Sequence, residues 1–338
     1  MLAELPPGKG SFMKALALPL AAAFALAGSA CATKPEPAPA PATIAAEPVQ
    51  PVPAAAAPAK PLTPGDVVTA APAEAWKRIS PDDLLLIALK NGGQVVIQLA
   101  PEFTPVHAAN IRAFARSDYW NGAAVYRVQD NYVAQWGLGD VERPFPAGVV
   151  KEPPHEYWRP IDGMAVVPLG YPDSYGAQAG FAGGWPVAYD PAADRINLTH
   201  CYGYVGVARG LAPDTGSGSE LYAIIGHAPR QLDRNIAVVG RVIEGIENLS
   251  SLKRGPAPMG FFAQRTEDTP IATIKLASAV SGVERPLFEY LDPASASFAT
   301  YLRVKANRSD DFYKTPAGGV DLCNVGVPVR RVTVGERG

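Results

Sequence analysis

Short apolar runs separated by glycine and proline dominate the chain from about residue 94 onward. The first run, 94–100 (QVVIQLA), alternates in polarity and is rich in β-branched residues, as is typical of a β-strand. Further runs of this kind lie at 123–128, 132–135, 164–167, 204–208, 221–225, 237–243 and 270–276. Many short strands with only two or three helices predict a mainly β protein built on a closed antiparallel barrel.

Two helices are predicted near the start of the folded sequence, which begins at about Trp76. Ser80, followed by a proline and two aspartates, is a typical N-cap and predicts a short helix over 80–89. Thr104 and the proline after it begin a second helix, whose apolar stripe consists of Val106, Ile111, Phe114 and Ala115. The segment 145–200 is rich in glycine and proline, so we interpret it as a loop insertion.

The N-terminus has the pattern of a secretory signal peptide, which we assign to residues 1–32. Met13 and a lysine precede an apolar run, 15–28, that is too short to anchor stably across a membrane, and small residues follow it. Residues 1–12 fit this pattern poorly, so Met13 is the better start of the protein.

Cys31 leaves two outcomes open at the end of this signal. In a lipoprotein the cysteine would carry the lipid, although Gly28 stands where a leucine is usual. In an ordinary exported protein, cleavage would follow Ala30 or Ala32. Both outcomes predict the periplasm, and lipidation would tether the protein to the envelope.

An alanine- and proline-rich segment, 33–75, separates the signal from the folded sequence. It contains almost no large apolar residues, so we predict a disordered linker that favours polyproline II geometry. The barrel is assigned to 76–282. Scattered aromatic residues in 283–338 predict a C-terminal extension that packs on the barrel.

Charge and cysteine content argue against several classes of function. The formal net charge is −2 and no run of lysine or arginine occurs, so we expect no nucleic-acid partner. Three separated cysteines without C-x-x-C spacing, and four scattered histidines, predict no metal site. Cys201 and Cys323 either form a disulfide in an oxidising compartment or remain thiols. We expect a monomer.

The candidate chemistry lies in residues 124–137 (AVYRVQDNYVAQWG). Taken alone, an arginine between apolar strand residues, such as Arg127, most often forms a structural ion pair or places its charge at a sheet edge. The stretch resembles the cyclophilin motif, which reads aromatic, His, Arg, two apolar residues, a turn, then Phe, Met, any residue and Gln. The resemblance places Arg127 on the catalytic arginine and Tyr132 on the phenylalanine of the proline pocket. It places Val133 on the methionine and Gln135 on the glutamine.

Further stretches resemble cyclophilin motifs in family order. Residues 206–210 (GVARG) and 216–222 (GSGSELY) are similar to the Ser-Met-Ala-Asn and Gly-Ser-Gln-Phe-Phe strands. Leu232-Asp233 and 239–245 (VGRVIEG) are similar to the segment Leu-Asp and Phe-Gly-Lys-Val-Glu-Gly. The matches extend over about 93–277. They imply an eight-stranded antiparallel barrel closed by two helices, so 76–282 is interpreted as a cyclophilin-like isomerase domain.

The resemblance implies a peptidyl-prolyl cis–trans isomerase that acts on proline-containing polypeptides without a cofactor. The barrier to peptide rotation is about 18–20 kcal/mol, because the C–N bond has double-bond character. A guanidinium that donates toward the prolyl nitrogen, the role implied for Arg127, stabilises the twisted amide. The implied pocket and substrate-binding residues are Tyr132, Val133, Gln135, Ala208, Arg209, Glu220, Tyr222 and Leu232.

Several positions depart from the cyclophilin pattern. Tyr126 replaces the family's His, Glu220 its second Gln and Tyr222 its inner Phe. Gln231 stands near its Trp and Ile236 near its second His. We expect the carboxylate of Glu220 to pair with the catalytic arginine, and the isomerase to be weak to moderate in activity. The alternative interpretation is a cyclophilin-fold protein that binds proline segments with little or no turnover.

Overall fold

The computed structural model describes residues 61–332, where the chain forms fifteen strands and five α-helices. The strands are β1 (Trp76–Arg78), β2 (Leu84–Leu89), β3 (Gln94–Leu99), β4 (Ala124–Val128), β5 (Val133–Gly137), β6 (Val167–Pro168), β7 (Gln178–Ala182), β8 (Trp185–Asp190), β9 (Arg195–Leu198), β10 (Tyr204–Val207), β11 (Leu221–Ile224), β12 (Val238–Glu244), β13 (Thr269–Leu276), β14 (Phe288–Leu291) and β15 (Val329–Arg331). The helices are α1 (Pro64–Ala70), α2 (Pro105–Ala115), α3 (Glu247–Ser250), α4 (Ala296–Ala306) and α5 (Leu322–Val325). Within residues 61–332, no helix combines the length and the apolar character that a membrane crossing requires.

Eight strands close into a barrel in the order β10, β11, β5, β4, β13, β2, β3 and β12, with every pair antiparallel. Alternate side chains point inward along each strand, and Leu85 and Ile97 are among those that fill the interior. Ile111 and Phe114 of α2 and Leu249 of α3 belong to the same buried cluster, so these helices close the barrel. The predicted mainly β fold, an eight-stranded barrel with two closing helices, is confirmed.

The helix predicted over 80–89 is wrong. A single 3₁₀ turn occupies Pro81–Asp83, and the next six residues form strand β2. Leu85 faces the barrel core, whereas Leu84 packs outward against Phe288 of the C-terminal extension. Because both faces of β2 are covered, its sequence is a continuous apolar run, and such a run does not distinguish strand from helix.

The segment 145–200 is more than the predicted loop insertion. Strands β6 to β9 form a separate four-stranded antiparallel sheet within it. Phe181, Val187 and Ile196 are fully buried along these strands. The run at 164–167, predicted as a regular strand, contributes only its last residue to the two-residue strand β6. Glycine and proline marked the turns of this sheet, and they obscured the short strands between them.

The predicted disorder of the linker does not hold for residues 64–75. Helix α1 begins after a capping box in which Thr63 and Asp66 bond each other's backbone N–H groups. Val67 of α1 is buried in a hydrophobic cluster that includes Phe298 of α4. Contact with the C-terminal extension therefore folds this part of the segment. Residues 33–60 and the predicted signal, 1–32, lie outside the described residues.

The C-terminal extension packs together with the insertion and with the residues before the barrel. Strand β14 pairs with both β1 and β15, and Phe298 stacks edge-on against Phe181 of the insertion. A disulfide joins Cys201, just before β10, to Cys323 of α5. Of the two open outcomes for these cysteines, the structure shows the disulfide. The bond links the extension covalently to the chain that enters the barrel strand β10.

Candidate active site

The guanidinium of Arg127 is held on the surface of the barrel by three acceptors. Its Nη1 donates to Oε1 of Gln135 at 2.9 Å, and its Nη2 donates to Oε1 of Gln129 at 2.5 Å. Its Nε donates to the carbonyl of Met259 at 2.7 Å. The β4–β5 hairpin sets this geometry, because Arg127 and Gln135 are directly opposed across the two strands. Partial burial lowers the pKa of Arg127, which stays charged because arginine titrates far above neutral pH.

Four of the predicted pocket residues pack in one place, and one of them, Tyr132, reaches this guanidinium. Val133 and Tyr222 are buried in one hydrophobic cluster, and the half-buried Tyr132 and Ala208 pack against it. The ring centre of Tyr132 lies 5.8 Å from Cζ of Arg127. Leu232 is half-buried on a 3₁₀ turn and is not a member of that cluster. We refer to Tyr132 and Tyr222, the two aromatic residues of the predicted proline pocket, as the aromatic slot. They pack in one cluster, and Leu232 lies outside it.

Glu220 does not pair with Arg127, contrary to expectation. The hydroxyl of Tyr126 donates to its Oε2 at 2.8 Å, and the backbone N–H groups of Leu138 and Gly139 donate to its Oε1 at 2.9 and 3.2 Å. Gly137 makes room for this carboxylate, since a Cβ there would lie 1.9 Å from Oε2. Burial raises the pKa of Glu220 to about 7.

A chain of side-chain hydrogen bonds connects Glu220 to Arg127 indirectly. Nε2 of Gln135 donates to the hydroxyl of Tyr126 at 2.5 Å, and Tyr126 in turn donates to Glu220. Burial, together with the neighbouring carboxylate, raises the pKa of Tyr126. Gln135 thus contacts Arg127 with its carbonyl oxygen and Tyr126 with its amide nitrogen, which fixes the orientation of the amide.

Tyr222 has a partner for the hydroxyl that distinguishes it from phenylalanine. Its oxygen lies 3.2 Å from Nε2 of His200, and Nδ1 of His200 lies 2.9 Å from Asp233. Nε of Arg230 donates a hydrogen bond to Asp233 at 2.5 Å. The two terminal nitrogens of Arg230 donate to Asp173 of the insertion, each at 2.9 Å. Burial raises the pKa of Tyr222. Sequence reasoning missed His200, because no local pattern relates it to Tyr222.

Phe261 is a further site residue that the sequence analysis missed. Strand β4 pairs with β13 through only two residue pairs, and the loop 255–262 covers the rest of its edge. This loop brings the ring of Phe261 to 4.8 Å from Cζ of Arg127 and stacks it against Tyr126. This contact forms only when the barrel closes, so no sequence motif predicts it.

A groove of about 430 Å³ extends from Gln135 along the predicted substrate-binding strand. Ala208, Arg209 and Glu220 line it. The N–H group of Ala208 donates to the carbonyl of Glu220 at 3.0 Å, so this donor is engaged within the barrel. The guanidinium of Arg209 is held by the carbonyl of Asn235. Gln135 therefore borders both this groove and the guanidinium of Arg127.

The closed eight-stranded barrel, with Arg127 and Gln135 on its β4–β5 hairpin, defines a cyclophilin-like protein. A family model described as cyclophilin type peptidyl-prolyl cis-trans isomerase/CLD matches residues 84–280. The chain belongs to this family, and the predicted assignment as a prolyl isomerase is confirmed at that level.

Individual relatives agree with the family assignment. Proteins named "Probable peptidyl-prolyl cis-trans isomerase" from Brucella suis biovar 1 and Brucella melitensis biotype 1 are each 26% identical over 198 residues, covering 57% of this chain and 80% of the relative. The crystal structure of the cyclophilin AquaCyp293 from Hirschia baltica superposes with a TM-score of 0.60 at 23% identity, covering 80% of this chain and 97% of that chain. The latter similarity supports the fold.

Proposed function

We propose that Arg127 is the catalytic residue of an isomerase that acts on X-Pro bonds of exported proteins. The observation that supports this is the placement of its charge, fixed by Gln135 and Gln129 beside the rings of Tyr132 and Phe261. A guanidinium has five N–H donors, and three of them are engaged with described residues. Two donors therefore remain for a bound peptide.

The mechanism follows from what changes when an amide twists. Rotation breaks conjugation, so the prolyl nitrogen becomes pyramidal and gains a lone pair that the planar isomers lack. A donor of Arg127 aimed at that nitrogen binds the twisted state more strongly than either planar state, which lowers the barrier. Tyr132 and Tyr222 hold the proline ring, and Gln135 prevents the guanidinium from turning away. No bond to the substrate forms or breaks.

The test is an isomerisation assay on an X-Pro peptide with Arg127→Ala. We expect kcat/KM to fall about 100-fold, as for loss of a preorganised electrostatic group. Arg116→Ala is the matched control, because Arg116 is an exposed arginine at the end of α2 that pairs with Asp82. Equal rates in Arg127→Ala and the control would reject the assignment.

The second candidate is a binding protein with little turnover. It is favoured by the engagement of three Arg127 donors within the protein, which limits how far the guanidinium can follow a rotating amide. Exchange spectroscopy by NMR distinguishes the two, since it detects binding and isomerisation in one sample. A peptide that binds Tyr132 and Tyr222 without faster exchange would establish the binding protein.

The location and partners are also part of the proposal. The signal pattern of residues 1–32 supports export to the periplasm, where proline-containing polypeptides are the clients and the protein acts as a monomer. Mass spectrometry of the mature N-terminus tests this. A lipid on Cys31 would indicate envelope tethering, an N-terminus after Ala30 or Ala32 would indicate ordinary cleavage, and an intact Met1 or Met13 would refute export.

A further inference from the structure

A second cavity of about 490 Å³ is lined in part by Tyr126. Strand β4, the turn after β5 and the segment before β13 form its walls, and the residues that matter here are Tyr126, Asp140, Phe261, Phe262, Arg265 and Asp268. It shares no lining residue with the groove that contains Ala208 and Arg209. The groove and this cavity are therefore two separate recesses.

One wall of this cavity is built from residues that also shape the Arg127 site. Phe261 lies against the guanidinium of Arg127 and is 43% exposed. Tyr126, which stacks on Phe261, is bonded to Gln135. The cavity is thus within the reach of side chains that flank a proline bound beside Arg127.

Asp268 at the base of the cavity is a carboxylate with an incomplete set of partners. Its side chain is 5% exposed, and among the described residues its one ion pair joins it to Nε of Arg265 at 3.9 Å, beyond hydrogen-bond distance. Arg265 instead donates to the carbonyl of Leu138 at 2.9 Å and to Asp140 at 3.0 Å. Burial, with smaller contributions from Asp140 and Glu267, raises the pKa of Asp268. A nearly buried carboxylate that accepts no hydrogen bond from residues 61–332 favours the entry of a donor.

The charges and rings around Asp268 select the chemistry of that donor. Asp140 and Asp268 oppose the single cation of Arg265, so the lining carries one net negative charge. Phe261 and Phe262 offer apolar surface to an alkyl stem, and carboxylates at its end attract a cationic head group. Lysine and arginine side chains have this combination of stem and charge.

We propose that this cavity is a specificity subsite that receives a lysine or arginine side chain of the client, close to the proline held at Arg127. The inference rests on the proposed function, because the client must bind through its proline. It adds a substrate class, namely X-Pro segments with a neighbouring basic residue.

The test compares peptides that differ in one side chain. A single lysine is placed in turn at each of the three positions before and after an X-Pro bond, and each peptide is matched with one that has norleucine there. For at least one position we expect kcat/KM to be about three- to tenfold higher with lysine, and the gain to shrink as salt rises. In Asp268→Asn the ratio of kcat/KM with lysine to kcat/KM with norleucine should approach one.

Two further variants make the result specific. Asp140→Asn changes an aspartate that is 88% exposed, so it does not threaten folding, and it should lower the same ratio by about two- to threefold. Asp130→Asn removes the same charge from the β4–β5 turn, where Asp130 is exposed and paired with Arg254, and it should leave the ratio unchanged. The subsite is overturned if no position prefers lysine, or if Asp130→Asn lowers the ratio as much as Asp268→Asn.

Failure of the proposed function gives a different result. If the protein binds these peptides without speeding isomerisation, kcat/KM cannot be compared. The lysine and norleucine peptides are then compared by their dissociation constants, measured by NMR titration. A lysine preference that Asp268→Asn removes would still support the subsite. Equal affinities for the lysine and norleucine peptides would refute it, whatever the catalytic rates.

Discussion

The hydroxyl of Tyr126 lies 2.8 Å from a carboxylate oxygen of Glu220 and donates a hydrogen bond to it. The same hydroxyl accepts from Gln135, which holds the guanidinium of Arg127. A residue that was expected to neutralise Arg127 directly is thus separated from it by two side chains. The charge of Arg127 remains available to a substrate, and Glu220 instead anchors the turn that follows β5.

Glu220 should make the stability of the protein depend on pH. Burial raises its pKa to about 7 from an ordinary value of 4.5, so the folded chain binds this proton more tightly than the unfolded chain. Stability therefore falls as pH rises from about 4.5 to about 7, by a contribution on the order of 2–3 kcal/mol. The glutamine of Glu220→Gln cannot ionise, so the free energy of unfolding of this variant should lack that part of its pH dependence.

Urea unfolding at pH 5 and pH 8 measures this effect. We expect Glu220→Gln to gain free energy of unfolding relative to the natural chain at pH 8 and to gain less, or nothing, at pH 5. Glu247→Gln serves as the control, because Glu247 is an exposed glutamate in the first turn of α3, so the same substitution there should not change the pH dependence. A difference between Glu220→Gln and the natural chain that is the same at both pH values would contradict the assignment.

Gln135 should act on the rate through Arg127. Gln135→Ala removes one of three acceptors that hold the guanidinium, so the charge spends less time in its productive position. We expect kcat to fall about tenfold with a smaller change in KM, because the aromatic slot remains. Isomerisation kinetics over a range of peptide concentrations give both values. The control is Gln178→Ala on strand β7, an exposed glutamine, and a loss confined to KM would argue against orientation of Arg127.

The sequence predicted those parts of the site that lie close together along the chain. Arg127 and Gln135 belong to one hairpin, and a two-residue turn fixes which residues face each other across it. Tyr222 is distant in sequence and was predicted only from the resemblance of 216–222 to a family motif; in the structure β11 pairs with β5 and places Tyr222 opposite Gln135. Strand pairing is the step that converts these separate motifs into one surface, and the motif order of the family carries that information.

The missed residues reach the site through irregular backbone. Phe261 comes from a loop that covers the edge of β4, and His200 comes from the segment between β9 and β10. The charge of Glu220 suggested an ion pair with Arg127. In the structure its carboxylate instead accepts hydrogen bonds from the backbone N–H groups of Leu138 and Gly139. The direction in which a side chain next to a turn points is set by closure of the barrel. Composition and periodicity do not predict that direction.

The hydroxyl of Tyr222 should contribute to stability through His200. Tyr222→Phe leaves the ring in the pocket but removes the group beside Nε2 of His200, which is fully buried. An unsatisfied buried polar group costs about 1–3 kcal/mol, so we expect a loss of that size in the free energy of unfolding. Urea denaturation measures it. Tyr189→Phe is the matched control, because the hydroxyl of Tyr189 makes no hydrogen bond with residues 61–332.

The disulfide between Cys201 and Cys323 should stabilise the folded chain against denaturant. It closes a loop with a sequence separation of 122 residues, which restricts the unfolded chain. Reduction should lower the free energy of unfolding by about 2–4 kcal/mol, and Cys323→Ser should reproduce that loss.

Urea unfolding with and without dithiothreitol provides the measurement. The natural chain should become less stable on reduction, and Cys323→Ser should be indifferent to the reductant, because the bond is already missing. Packing of Phe298 on Phe181 remains in both, so we expect the C-terminal extension to stay folded in the absence of urea. If dithiothreitol destabilises Cys323→Ser as much as the natural chain, the loss has another source and the disulfide does not contribute to stability.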